Sequence, residues 1–228
     1  MGRRHIRDSF NIKQGVRQIG VLSTCLYKVY NNTLLKDLQK YNLGFSICNT
    51  YVGCPTCADD IALLSDDSNE LQCMLSTLHR HTMQDRVSIH PTKTKAVILN
   101  KTRAITKSTL KWTLGESEIC PTNKAVHLGI IRSEMKENEI NIEDRISLAR
   151  RTMYALMNTG LHGTNGMNPL AAIKMYEAYV IPKLLYGVEI LPLNATQIAL
   201  LSKFHIANLR RFQSLPTRTA IGIVYLLV

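Results

Sequence analysis

The chain has 228 residues, of which 45% are hydrophobic and 20% are charged. This composition is close to the globular average and argues against intrinsic disorder, collagen-like repeats and coiled-coil rods. Charged residues or proline interrupt every apolar run before the ~20 residues that a membrane-spanning helix needs, so we expect a folded, soluble protein without a membrane partner. The net charge of +11 favours partners that carry phosphate groups.

The charge is distributed unevenly along the chain. Residues 1–50 carry a net charge of +6 and residues 151–228 carry +5, whereas residues 51–100 carry −2. An acidic centre between basic flanks is typical of an anionic polymer that lies beside cation-binding carboxylates. A solvated surface of uneven composition is the alternative.

The first third of the chain predicts a helix followed by extended segments. Ser23 is a candidate N-cap for a helix with apolar residues at spacings of three and four, which should end near Asn42 and Gly44. Residues 45–52 predict a strand. Residues 53–64 predict two strands joined by a turn that holds two carboxylates, Asp59 and Asp60.

A second helix and further short strands are expected next. Asp67 followed by Glu70 resembles a capping box at a helix start. Short strands are predicted at 87–89, at 96–99 and around Trp112.

The periodicity becomes helical from Ile142 onward. Three apolar stripes predict at least three helices, and Pro182 should end or kink the second. Charged residues at 133–141 indicate a solvated linker. The predicted fold class is therefore α+β, with an antiparallel sheet and helices in residues 1–135 and an all-α domain in residues 136–228.

Asp59 and Asp60 are the strongest candidates for chemistry. Adjacent carboxylates repel each other unless a cation neutralises them, and Mg²⁺ takes one or two carboxylates together with substrate phosphates. The pair therefore suits a phosphoryl-transfer centre, although Asp-Asp in a turn is also common as a solvated tip.

The six cysteines indicate a reducing compartment, because the N-terminus lacks the apolar core of a secretory signal. Cys54 and Cys57 have zinc-like spacing, but no second pair accompanies them. A zinc or redox module is therefore a remote alternative.

Four short sequence patches follow one another along the chain: GVRQIGVLS at 15–23, ADD at 58–60, KTK at 93–95 and HLGI at 127–130. Together they resemble the reverse transcriptases of non-LTR (LINE-type) retrotransposons. They look like the RQG..LS motif, the (Y/F)ADD box, the N..KTK segment and the YLG primer grip of that family. Residues 160–163 and 179–187 look like its thumb, so the resemblance runs from about residue 10 to the C-terminus.

The resemblance implies an RNA-directed DNA polymerase that extends a DNA primer on an RNA template. Deoxynucleoside triphosphates would be its substrates and Mg²⁺ or Mn²⁺ its cofactor. Asp59 would be the direct metal ligand and Asp60 its partner in the box. Lys93 would protonate or neutralise the departing pyrophosphate.

The resemblance also implies binding residues in a palm that is followed by a thumb. Residues beneath the incoming nucleotide and template would be Arg17, Gln18 and Gly20. Residues that hold the primer terminus would be His127, Leu128 and Gly129.

The sequence departs from the family pattern at several positions. Ile19 replaces a small residue, Thr24 a proline, Cys57 an aromatic residue and His90 an asparagine. We expect the chain to lack a counterpart of the family's first catalytic aspartate, since only about ten residues precede Phe10, and to lack the family's fingers and endonuclease domain.

We therefore expect a truncated palm-and-thumb portion, an enzyme by family, which extends no primer by itself. The alternative is an inactive remnant that binds RNA or an RNA/DNA hybrid through basic surfaces. The expected location is intracellular, in the nucleus or the cytoplasm, and the oligomeric state is open.

Overall fold

A computed structural model describes residues 20–99, 110–162 and 165–226. The chain divides into two compact units. The first unit comprises residues 1–95 and 106–121, and the second comprises residues 96–105 and 122–228. Arg17 and Gln18 lie outside the described residues.

Two long helices form the frame of the first unit. Helix α1 spans Ser23–Lys40, so Ser23 is its first residue and Leu22, rather than Ser23, is the N-cap. The predicted end near residue 42 is close to the observed one. Helix α2 spans Ser68–Asp85 and begins after Asp67 as predicted, because the Asp67 carboxylate accepts a hydrogen bond from the Glu70 N–H at 2.8 Å. The reciprocal half of the predicted capping box is not formed, since the Asp67 N–H donates to the Ser65 hydroxyl at 3.1 Å.

Three short antiparallel hairpins complete the described part of the first unit. They pair β1 (Ser46–Ile47) with β2 (Thr50–Tyr51), β3 (Thr56–Cys57) with β4 (Asp60–Ile61), and β6 (Trp112–Leu114) with β7 (Ser117–Ile119). The prediction of one strand over 45–52 is wrong, since Cys48 has a φ of +52° and reverses the chain there. Residues 87–89 form no strand, whereas the strand around Trp112 is confirmed.

Side-chain hydrogen bonds link these elements. Nε2 of His81 lies 2.8 Å from the Asp37 carboxylate and connects α2 to α1. The Trp112 indole N–H donates to the Ser68 carbonyl at 3.0 Å and attaches the third hairpin to the start of α2. Because a buried polar group without a partner is costly, these bonds select one arrangement of α1, α2 and this hairpin.

The second unit contains short strands and then helices. Its strands are β5 (Ala96–Val97), β8 (Pro121–Thr122), which lies where the chain enters this unit, β9 (Lys124–His127) and β10 (Ile130–Ser133). Its helices are α3 (Glu137–Met157), α4 (Pro169–Tyr179), α5 (Ile181–Leu185), α6 (Ala195–Phe212) and α7 (Ile221–Leu226), with a 3₁₀ turn at Val188–Ile190.

The helices of the second unit share one apolar core. Its fully buried side chains include Ile142 of α3, Tyr176 of α4 and Phe212 of α6. The predicted bundle is confirmed, and the second helical stripe breaks as expected, since α4 ends at Tyr179 and Pro182 occupies the first turn of α5. The capping box of Asn194 and Gln197 at the start of α6 was not predicted.

The structure confirms a mixture of helices and small antiparallel sheets, while the palm-and-thumb arrangement stays a prediction. Residues 137–141, predicted to be linker, form the first turns of α3. The division near residue 121 differs from the predicted boundary at 135, because the β9–β10 hairpin packs on α3. None of the helices in the described ranges has the length and apolar character that a membrane crossing requires.

Candidate functional site

Asp59 and Asp60 lie at the tip of the β3–β4 hairpin in the first unit. Cys57 pairs with Asp60, so Ala58 and Asp59 form a two-residue turn, with Ala58 at a φ of +54°. Both aspartates are exposed. The predicted tight turn is confirmed, and its carboxylates are open to an ion or a phosphate group from solvent.

Backbone hydrogen bonds anchor this tip well beyond the short strands. The Ala62 N–H donates to the Pro55 carbonyl at 3.0 Å, and the Leu64 N–H donates to the Gly53 carbonyl at 2.8 Å. The Asn31 side chain of α1 reaches the Ala58 carbonyl at 3.5 Å. The turn that carries the carboxylates is therefore held at its base by the ladder and at its tip by a helix.

The donor atoms at this tip suit a divalent cation. Carboxylate oxygens are the ligands that Mg²⁺ prefers, and one or two of them suffice when phosphates and water complete the shell. Asp59 and Asp60 could supply those two. In the part of the chain that the structure describes, no three His, Cys, Asp or Glu side chains form a cluster fit for a metal ion.

Lys93 lies in the same unit, in a turn organised by the residue before Pro91. The N–H groups of Lys93 and Thr94 both donate to the His90 carbonyl at 3.2 Å. The Lys93 side chain is exposed and forms no ion pair with Asp59 or Asp60, all three being described residues. The role that the resemblance implies for Lys93 stays a prediction.

Gly20 is the one predicted template-binding residue within the described ranges. Its carbonyl accepts a hydrogen bond from the Ser23 N–H at 3.1 Å, so it lies directly before α1. Arg17 and Gln18 are predictions that fall outside the described residues.

The Cys54 thiol is buried, and burial raises its pKa. A raised pKa disfavours the thiolate that zinc binding and redox exchange need. This weakens the remote alternative of a zinc or redox module.

The HLGI patch forms a second hairpin tip, in the second unit. Strands β9 and β10 pair His127 with Ile130, so Leu128 and Gly129 make a two-residue turn. Their φ angles are +49° and +76°, the left-handed region that favours glycine. The patch therefore presents an exposed turn, with His127 half-buried beside it.

Two residues without a predicted site role hold this tip: Arg145, and Tyr186 of the thumb-like segment 179–187. The Tyr186 hydroxyl donates to the Leu128 carbonyl at 2.8 Å, and the Arg145 guanidinium donates to the Gly129 carbonyl. The Arg145 guanidinium also lies over the Tyr186 ring, 5.3 Å from its centroid. The sequence does carry one signal for Arg145: it is a charged residue on the apolar side of α3, three positions after Ile142.

Asn141 ties the same hairpin to α3. Its carboxamide accepts from the Ile131 N–H at 3.0 Å and donates to the Ile131 carbonyl at 2.7 Å. Ile131 faces Val126 at a non-hydrogen-bonded position of the ladder, so its backbone groups point away from β9. The Asn141 side chain thus takes the place of a further strand.

No protein-family model, characterised protein or solved structure matches the chain. The likeness to reverse transcriptases therefore rests on the four patches and the thumb-like segments alone.

Proposed function

We propose that this chain is part of an RNA-directed DNA polymerase of the non-LTR retrotransposon type. The observation that carries the proposal is the exposed turn of Asp59 and Asp60, because two solvent-facing carboxylates on an anchored hairpin suit a metal-dependent phosphoryl-transfer centre. The order of the other patches supports it. RNA template, DNA primer and deoxynucleoside triphosphates are the proposed ligands.

Asp59 and Asp60 are the residues proposed to hold Mg²⁺ or Mn²⁺. Such an ion, when bound, supplies positive charge that neutralises phosphate oxygens. The hairpin contributes by holding both exposed carboxylates at the solvent boundary, where a triphosphate can approach.

Metal-dependent hybrid binding tests this proposal. The wild-type chain should bind a recessed DNA primer on an RNA template more tightly with Mg²⁺ than with EDTA when a triphosphate is present. Asp59→Asn and Asp60→Asn should abolish that increment, since each removes an anionic ligand. Asp66→Asn is the matched control, because it makes the same charge change at another exposed position of this unit. An equal increment in all four proteins would overturn the proposed metal site.

A second candidate is binding of RNA or RNA/DNA hybrid without catalysis. The net charge of +11, concentrated in the flanks of the chain, favours it. The metal dependence of hybrid binding separates the two candidates. Binding that Mg²⁺ strengthens and that Asp59→Asn returns to its level in EDTA supports the polymerase proposal, whereas tight hybrid binding that is indifferent to Mg²⁺ and to Asp59→Asn supports the second candidate.

A further inference from the structure

Tyr186 stands out in the second unit because three contacts hold its ring in one orientation. The hydroxyl is bonded to the Leu128 carbonyl, and the Arg145 guanidinium covers one face. The backbone of Gly129 lies against the ring edge, where an added Cβ would come within 3.0 Å of Tyr186 Cε1. The ring therefore has little freedom to rotate.

Tyr186 is nevertheless open to solvent. Tyr186 is 51% exposed, although its hydroxyl is bonded and one face carries Arg145. The ring face opposite Arg145 is the part of the side chain that none of these three contacts covers. Arg145 itself is buried and lies 3.4 Å from the Asp144 carboxylate, so its charge is balanced within the fold.

We propose that the open face of Tyr186 is a stacking site for an unpaired nucleobase of a bound single strand. Every base has a π-face, so such a site tolerates any sequence. A ring that is already fixed loses little conformational entropy when a base stacks on it, which makes it a better platform than a mobile exposed tyrosine.

A neighbouring lysine supplies charge for the backbone of the same strand. Lys183 lies three residues before Tyr186, is exposed, and donates one hydrogen bond to the Thr152 hydroxyl at 3.1 Å. Thr152 and Arg145 are two turns apart on the same side of α3, which places the two contacts about 10 Å apart along its axis. An ammonium has three donors, so Lys183 keeps two for a phosphate oxygen.

This inference rests on the proposed function, because it takes a nucleic acid as the ligand of the second unit. The experiment uses the full chain and a fluorescein-labelled oligothymidylate with one central 2-aminopurine, whose fluorescence falls when it stacks. Anisotropy measures binding, and 2-aminopurine intensity at saturation measures stacking in the bound state.

Tyr186→Leu should weaken binding about fivefold to 100-fold, the range for one stacked base, and should relieve the quenching. Tyr186→Phe retains the ring but loses the hydroxyl's bond to the Leu128 carbonyl, so it should weaken binding far less than Tyr186→Leu and should keep the quenching. Tyr154→Leu is the matched control, since Tyr154 is 57% exposed in the same unit and has no hydrogen bond or ring contact within the described residues. It should bind and quench as wild type does.

Unchanged binding and quenching in Tyr186→Leu would overturn the stacking site while leaving nucleic-acid binding intact. A wild-type chain that binds no oligonucleotide at low salt would overturn both. If Tyr186→Leu does not fold, photocrosslinking of the wild-type chain to 5-iodouracil-containing DNA still decides the matter. The crosslink should map to Tyr186, and crosslinks found only elsewhere would refute the site.

Discussion

Asn141 offers the sharpest test of how the second unit holds its hairpin. The residue is only 1% exposed, and its side chain makes three hydrogen bonds, two with the backbone of Ile131 and one to the Glu137 carbonyl at 2.9 Å. Asn141→Ala removes all three and leaves the outer edge of β10 without its partner.

The expected cost follows from these contacts. A net contribution of about 0.5–1.5 kcal/mol for each bond predicts a loss of roughly 2–4 kcal/mol in the free energy of unfolding. Asn138→Ala is the control on the same helix, because Asn138 makes a single bond, to the Pro192 carbonyl at 2.7 Å, and should cost about 1 kcal/mol.

Urea unfolding followed by circular dichroism measures the free energies, and amide hydrogen exchange reports on Ile131 directly. The Ile131 amide should exchange faster in Asn141→Ala and not in Asn138→Ala. A loss of less than about 0.5 kcal/mol in the free energy of unfolding, or an Ile131 amide that stays equally protected, would refute the proposal that the Asn141 side chain takes the place of a further strand.

Three further measurements test other parts of the structure. Gly187→Ala should lower the free energy of unfolding by about 2–4 kcal/mol, because Gly187 has a φ of +74° and an added Cβ would lie 2.1 Å from Ile130 Cδ1. Gly222→Ala should raise it by about 0.5–1 kcal/mol, because Gly222 lies in α7 with open space where an added Cβ would lie. Equal effects of the two substitutions in thermal melts would contradict this. Burial lowers the pKa of His205 from its usual 6.5, so the unfolded chain binds that proton more readily and stability should fall as the pH drops below about 6.5. His205→Gln should reduce that fall in urea titrations at successive pH values, and an unchanged fall would exclude His205 as its source. Lys183→Gln should reduce the slope of log affinity against log salt for single strands by about 0.7, and an unaltered slope would show that Lys183 contacts no phosphate.

Much of the fold follows from local sequence patterns. The start of α2 depends on Asp67 and Glu70, three residues apart, and the break after α4 depends on Pro182 alone. The stripe on α3 and the turn at Asp59 were also predictable, because helix periodicity and hairpin turns are set within a few residues. The two carboxylates of the candidate metal site could therefore be located from the sequence.

Only the tertiary structure decided which residues support the second hairpin tip and which apolar residues are covered. Val29 belongs to the apolar stripe of α1 and is nevertheless exposed. An apolar stripe predicts which face of a helix can be buried, but it does not predict how much of that face another element covers. Tyr186 reaches Leu128 across 58 residues of sequence, and Arg145 reaches Gly129 across 16. Such contacts depend on how separate elements pack. Two residues that are far apart in the sequence meet only in the folded chain, so their contact produces no regular spacing that the sequence alone could show.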